Sequence, residues 1–154
     1  MSRLYLVVVF AISGPALPAT AAEPGVKAEL VGGTVAGIPA KSNARLDLTG
    51  KDVLSLRIGS TEVKVPYQKV NTLEYGQNVS RRYAAAVLIS PVLLLSKARR
   101  HFVTIGYEDA DGRQQALVFR VGKGDIRGVL TGLEARTGRR VEYQDDEARK
   151  AGKG

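Results

Sequence analysis

Arg45-Leu46-Asp47-Leu48-Thr49, Gly50-Lys51-Asp52, Val53-Leu54-Ser55-Leu56-Arg57-Ile58, Gly59-Ser60 and Thr61-Glu62-Val63-Lys64-Val65 form the stretch that decides the fold. Leu46 and Leu48 alternate with Arg45, Asp47 and Thr49, then Leu54, Leu56 and Ile58 with Ser55 and Arg57, then Val63 and Val65 with Glu62 and Lys64. A period of two puts successive side chains on opposite faces of an extended chain, so each run reads as a half-buried strand. The Gly-Lys-Asp and Gly-Ser clusters between the runs are turn chemistry, and the whole reads as a meander of short antiparallel strands.

The same pattern extends outward from Val26 to Tyr75. Pro66 has no N–H to give a strand ladder, so Pro66 to Tyr75 is expected to leave the sheet or run along its edge, with Val70, Leu73 and Tyr75 turned inward. Further on, Val103, Ile105 and Tyr107 make one arm of a hairpin, Asp109-Ala110-Asp111-Gly112 its turn, and Gln115 to Val121 the other arm. The turn resembles the start of a calcium loop. Phe119-Arg120-Val121 stand where the downstream acidic ligand belongs, so metal binding is set aside.

Ile126, Val129, Leu130 and Leu133 fall at i, i+3, i+4 and i+7 and predict one amphipathic helix, ended at Thr137-Gly138 by a glycine suited to the left-handed cap. Gly128 and Gly132 inside it mark either a close approach to the sheet or exposed weak points. Val141 and Tyr143 predict a short strand. Gln144 to Gly154 is charged and small, and is expected to be a disordered tail. Gly122-Lys123-Gly124 lacks the spacing and the βαβ context of a dinucleotide loop and reads as a flexible approach to the helix.

Between the two β blocks lies a different kind of segment, running from Arg81-Arg82 through the apolar stretch Tyr83 to Leu95, with Ser90-Pro91 inside it, to Lys97-Ala98-Arg99-Arg100-His101. It is shorter than the roughly 18 residues that span a bilayer. Two readings stand. In one, Ala84 to Leu95 is core or a protein interface, with solvated basic ends. In the other, Leu88, Leu93 and Leu94 press into an anionic leaflet while Arg81, Arg82, Lys97, Arg99 and Arg100 meet its headgroups, each basic group adding about 1 kcal/mol.

The N-terminus carries Arg3, the apolar run Leu4 to Ile12, the breakers Ser13-Gly14-Pro15, and Ala19-Thr20-Ala21-Ala22 before Glu23. That is the order of a secretory signal with a small-x-small cleavage site. The expected organisation is therefore a signal peptide at 1–22, one β-rich domain at 23–143 and a tail at 144–154, in a protein exported to the periplasm or the extracellular space. Of the formal charge of +8, loss of Arg3 leaves about +7, which favours an anionic partner. Export and the scarcity of aromatics among the basic residues argue against nucleic acid, leaving an anionic lipid surface or an envelope protein. The chain has no cysteine, so neither disulfides nor thiol chemistry is available and the core must hold the fold by packing.

With one histidine, no cysteine and no Gly-x-Ser-x-Gly, the chain lacks the parts of Ser-His, Cys-His and multi-histidine metal chemistry. Its acidic clusters, Asp109 with Asp111 and Asp145-Asp146-Glu147, fall in a turn and in the tail, and His101 reads as a loop residue with a depressed tendency to protonate. No catalysis and no cofactor are expected.

The Val65-Pro66-Tyr67 to Leu73-Glu74-Tyr75-Gly76 stretch, the hairpin Phe102 to Val121 and Leu133 to Val141 closing the domain together resemble the pleckstrin-homology-like barrels of uncharacterised exported bacterial proteins. The resemblance covers Val26 to Tyr143. It implies a mainly β (α+β) fold, an antiparallel partly open barrel of about seven strands with one C-terminal amphipathic helix, and a non-catalytic binding role. The basic pattern with which the phosphoinositide-binding members hold their ligand has no counterpart in the first hairpin here, so that specificity is not implied.

Overall fold

The computed structural model describes residues 24–77, 101–144 and 146–153. The fold is mainly β. Seven strands follow the alternation of the sequence: β1 (Val26–Gly33), β2 (Ser42–Asp47), β3 (Val53–Ile58), β4 (Thr61–Pro66), β5 (Val70–Gly76), β6 (His101–Glu108) and β7 (Gln114–Val121). Helix α1 (Ile126–Thr137), a two-residue strand β8 (Glu142–Tyr143) and helix α2 (Asp146–Lys153) complete it.

All eight strands share one sheet in the order β4-β3-β2-β1-β7-β6-β5-β8. The first seven pair antiparallel, and β8 adds parallel to β5. The barrel expected from the resemblance is not closed: no ladder joins β4 to β5 or β8 among the described strands. Yet β4 and β5, near opposite ends of that order, are linked by a single 3-10 turn, Tyr67–Lys69. Four steps of chain reach at most about 14 Å, so the sheet must curl until its two ends meet at this corner. Pro66 ends β4 opposite Val53, and the chain turns there instead of continuing a ladder, because proline has no N–H to donate.

Curling lets one core draw on both ends of the sheet. Leu46, Leu54, Leu56 and Val65 from one side join Leu73, Tyr75, Ile105 and Phe119 from the other, and Ile126, Val129, Leu130 and Leu133 of α1 fill the space between. Gly132 is the close approach: a Cβ there would stand 3.1 Å from Leu48 Cδ1, whereas at Gly128 it would meet nothing within 4 Å. Helix α1 ends at Gly138 in the left-handed conformation, φ 67°, its N–H donating to the Glu134 carbonyl.

One expectation is narrowed and two are corrected. Of the two alternatives for the stretch after Pro66, the chain does not leave the sheet: Val70–Gly76 is β5, which runs near its edge and is covered on the outer side only by β8 at Glu74 and Tyr75, with Val70, Leu73 and Tyr75 facing inward as expected. His101 is not a loop residue but the first residue of β6. Within the stretch expected as a disordered tail, α2 buries Ala148 completely, and its Gly152 is buried so closely that a Cβ would fall 2.7 Å from the Tyr143 ring. Small residues at these two positions, which look featureless in sequence, are what let the helix seat.

Strands β6 and β7 bury both faces. Phe102, Thr104 and Val118 point away from the core cluster and are still almost inaccessible, as is Val31 of β1. That explains the uninterrupted apolar run Ala116-Leu117-Val118-Phe119, which a sheet solvated on one side would not require.

Candidate anion-binding end of the sheet

The residues expected to meet an anionic surface, Arg81, Arg82, Leu88, Leu93, Leu94, Lys97, Arg99 and Arg100, lie outside the described residues, as does the signal segment 1–22. What the structure does place is the root of the 78–100 segment. Gly76 and Phe102 are cross-strand partners, so the chain leaves β5 and returns on β6 at one end of the sheet. From His101 the register runs across the sheet through Val121 and Ala28 to Ala44.

Beside that row lies another: Lys27 stands opposite Arg45, and Arg45 opposite Arg57. Each cation occupies an outward position of an ordinary alternating strand, so nothing in the separate stretches signals the row; only the register does. Like charges directly opposite one another repel. Two of the three are partly compensated by the chain that leads into β1, with Arg57 Nη2 donating to the Pro24 carbonyl at 2.7 Å and Arg45 Nη1 to the Gly25 carbonyl at 3.2 Å. Arg57 also lies 3.9 Å from the Asp47 carboxylate. The Thr49 hydroxyl and N–H, then Arg57, hold the Asp47 carboxyl below the usual range.

Two open grooves border the row and share Lys27, Ala28 and Asn43. One, about 520 Å³, extends to Arg45 and Arg57; the other, about 550 Å³, extends to Arg120, Lys123 and His101. Arg120 is paired with Glu29. Among the described residues, Lys27, Arg45, Arg57, Arg120 and Lys123 thus border these grooves, with Glu29 pairing with Arg120 and Asp47 lying near Arg57.

His101 anchors the root. Its Nδ1 lies 2.5 Å from the hydroxyl of Tyr75, which is wholly buried, and the rings stack at 6.0 Å with 8° between their planes. Burial, and secondarily the Lys123 ammonium, push the imidazole below its ordinary range. Near neutral pH the ring is therefore uncharged and shares one hydrogen bond with the phenol through Nδ1. The expected depression holds, but among the described residues its causes are burial and Lys123.

The hairpin turn that resembled a calcium loop spends its carboxylate on itself. Asp109 Oδ1 accepts from the Asp111 and Arg113 N–H groups at 2.9 Å each, and Oδ2 accepts from Gln115 Nε2 at 2.7 Å. Among the described residues no three His, Cys, Asp or Glu side chains gather as a metal would need, and no helix is long and apolar enough to cross a membrane. No protein-family model matches the chain, and no curated protein matches it.

Proposed function

We propose that the protein is an exported, non-catalytic binding domain of the pleckstrin-homology-like kind, a curled and incompletely closed barrel that docks peripherally on an anionic membrane surface. The observation that carries this reading is the cross-strand row Lys27, Arg45 and Arg57 at the end of the sheet where the basic-flanked segment 81–101 is rooted. Charge that is separate in the sequence is gathered beside the one segment whose composition suits an interface, and a positive end of this kind draws the domain toward anionic headgroups. Seven antiparallel strands followed by a helix support the kinship in strand count. The export reading rests on the N-terminal pattern Arg3 to Ala22.

Co-sedimentation with vesicles tests it. Binding should be strong to phosphatidylglycerol-containing vesicles and weak to pure phosphatidylcholine, and should fall when Arg81, Arg82, Arg99 and Arg100 become Gln and fall further with Lys27→Gln and Lys123→Gln. Equal binding to both vesicle types, or none, would sink the proposal.

A second reading is favoured by one observation, the burial of Val31, Phe102, Thr104 and Val118 on the side of the sheet away from the core cluster. It takes the apolar run 84–95 as core or as an interface with an envelope protein. Leu93→Asp separates the two readings: it should unfold the chain or break a complex in the second, and abolish vesicle binding with the thermal midpoint unchanged in the first.

A further inference from the structure

At the C-terminal end of α1, far from the Lys27 row in sequence, a second basic site is built from three arginines. Arg139 and Arg140 lie on the short connection between α1 and β8, and Arg149 lies on α2; with Tyr143 and Glu134 they line an open basin of about 580 Å³.

The connection is held from both sides. Gly138 turns the chain in the left-handed conformation, the Arg139 N–H donates to the Thr137 hydroxyl at 3.1 Å, and the Val141 N–H donates to Glu134 Oε1 at 2.8 Å. The Thr137 hydroxyl in turn donates to the Leu133 carbonyl at 2.7 Å. Glu134, the acidic side chain lining the basin among the described residues, is thus engaged in fixing the backbone. The three guanidinium groups are exposed and have no ion-pair partner among the described residues. Arg149 reaches the same basin from α2, where Ala148 beside it is buried in the core.

Arg139 and Arg140 gain some stabilisation from the partial negative charge at the end of α1, a role that Arg136 in the last turn already serves. Helix-end electrostatics do not account for Arg149, which lines the same basin from another element. Arginines that line one basin from two elements suit an oxyanion with several terminal oxygens and two charges. A loop fixed beforehand loses little entropy on binding.

We propose that this basin binds a phosphate monoester. Its open volume leaves room for the organic group the phosphate carries. The ligand would clamp α2 against the α1–β8 connection.

Calorimetric titration of the whole chain with inorganic phosphate and with glycerol 3-phosphate, at ionic strength held constant with sodium chloride, tests the proposal. Saturable binding is expected, with a raised thermal midpoint and slower amide exchange in α2. Arg140→Gln and Arg149→Gln should each weaken affinity about tenfold, and Arg149→Lys should recover only part of the loss. Lys27→Gln with Lys123→Gln should leave phosphate binding unchanged, so failure of the membrane reading would not mimic failure of this one. A second arm uses phosphatidylcholine vesicles with and without phosphatidic acid. Retention that depends on phosphatidic acid and is lost in the arginine variants assigns the monoester to a lipid, and binding of glycerol 3-phosphate without vesicle retention assigns it to a soluble metabolite. Absence of saturable binding in both arms overturns the proposal, and so does unchanged affinity in the Gln variants when their thermal midpoints match the parent.

Discussion

The Tyr75 hydroxyl meets the Nδ1 of His101 at 2.5 Å, tying the last turn-inward residue of β5 to the first residue of β6 across the root of the 78–100 segment. The same tyrosine packs edge-on against Tyr143 of β8, with centroids 5.9 Å apart, so one buried phenol joins the three strands at this end of the sheet.

His101 is the protein's one histidine, and a pH titration followed by NMR will show a single imidazole. Its midpoint should lie below the ordinary value of about 6.5, because burial and Lys123 disfavour the charged ring. Lys123→Gln should raise it. A histidine depressed in the folded state takes its proton more readily when unfolded, so its contribution is intact above about pH 6.5 and is lost as the pH falls below that value. Tyr75→Phe should cost about 1 kcal/mol in denaturant unfolding at pH 7; an unchanged midpoint would show that the hydrogen bond carries no weight.

Asp47 gives a second pH dependence at lower values. Its carboxyl is held down by the Thr49 hydroxyl and N–H and by Arg57, so its contribution is present above the unfolded value of about 4 and disappears as the pH falls through the folded one. Asp47→Asn should destabilise the protein at pH 7, and the difference from the parent should shrink by pH 3. A constant difference across that range would exclude the charge as the cause.

Helix α2 is the sharpest test of the C-terminal packing. Ala148 has no exposed surface, so Ala148→Asp buries an unpaired carboxylate and should lower stability by about 3 kcal/mol or more. Were the segment detached, the substitution would be silent in thermal unfolding.

Leu133→Ala removes a wholly buried side chain from the centre of α1 and should cost about 2–5 kcal/mol. Gly132→Ala is the subtler variant, because its new methyl group must displace Leu48 Cδ1 by a few tenths of an ångström. The gain in helix propensity and the crowding should nearly cancel, giving a change within about 1 kcal/mol. Gly128→Ala, with open space around it, should stabilise by up to about 1 kcal/mol; urea unfolding of the pair compares the two glycines directly.

The strands, the Asp109 turn and α1 were legible in the sequence because each is encoded locally: period-two alternation in β2 to β4, the apolar stripe Ile126 to Leu133, the glycine at position 138. The open ends of the sheet were not, since closure depends on which strands meet, and the three residues between Pro66 and Val70 reveal the curl only once the strand order is known. The Lys27, Arg45 and Arg57 row was invisible for the same reason. Register is a relation between strands, and each of these residues alone is an ordinary outward-facing cation. Helix α2 escaped notice because its buried positions are alanine and glycine, whose value lies in their small size. The expected contact residues from Arg81 to Arg100 fall outside the described part of the chain, and the structure bears on them only through the root at Gly76 and His101.

The placement of β1 between β2 and β7 has a kinetic consequence. Glu29 and Arg120, which pair across that seam, are 91 residues apart in the chain. The meander β1 to β4 can form as soon as it is made, but its inner edge stays unsatisfied until β7 arrives. Such late, long-range pairing makes folding slow. The sheet therefore cannot be completed until the chain is made as far as Val121, and until then the inner edge of β1 is open to pairing with any other extended strand.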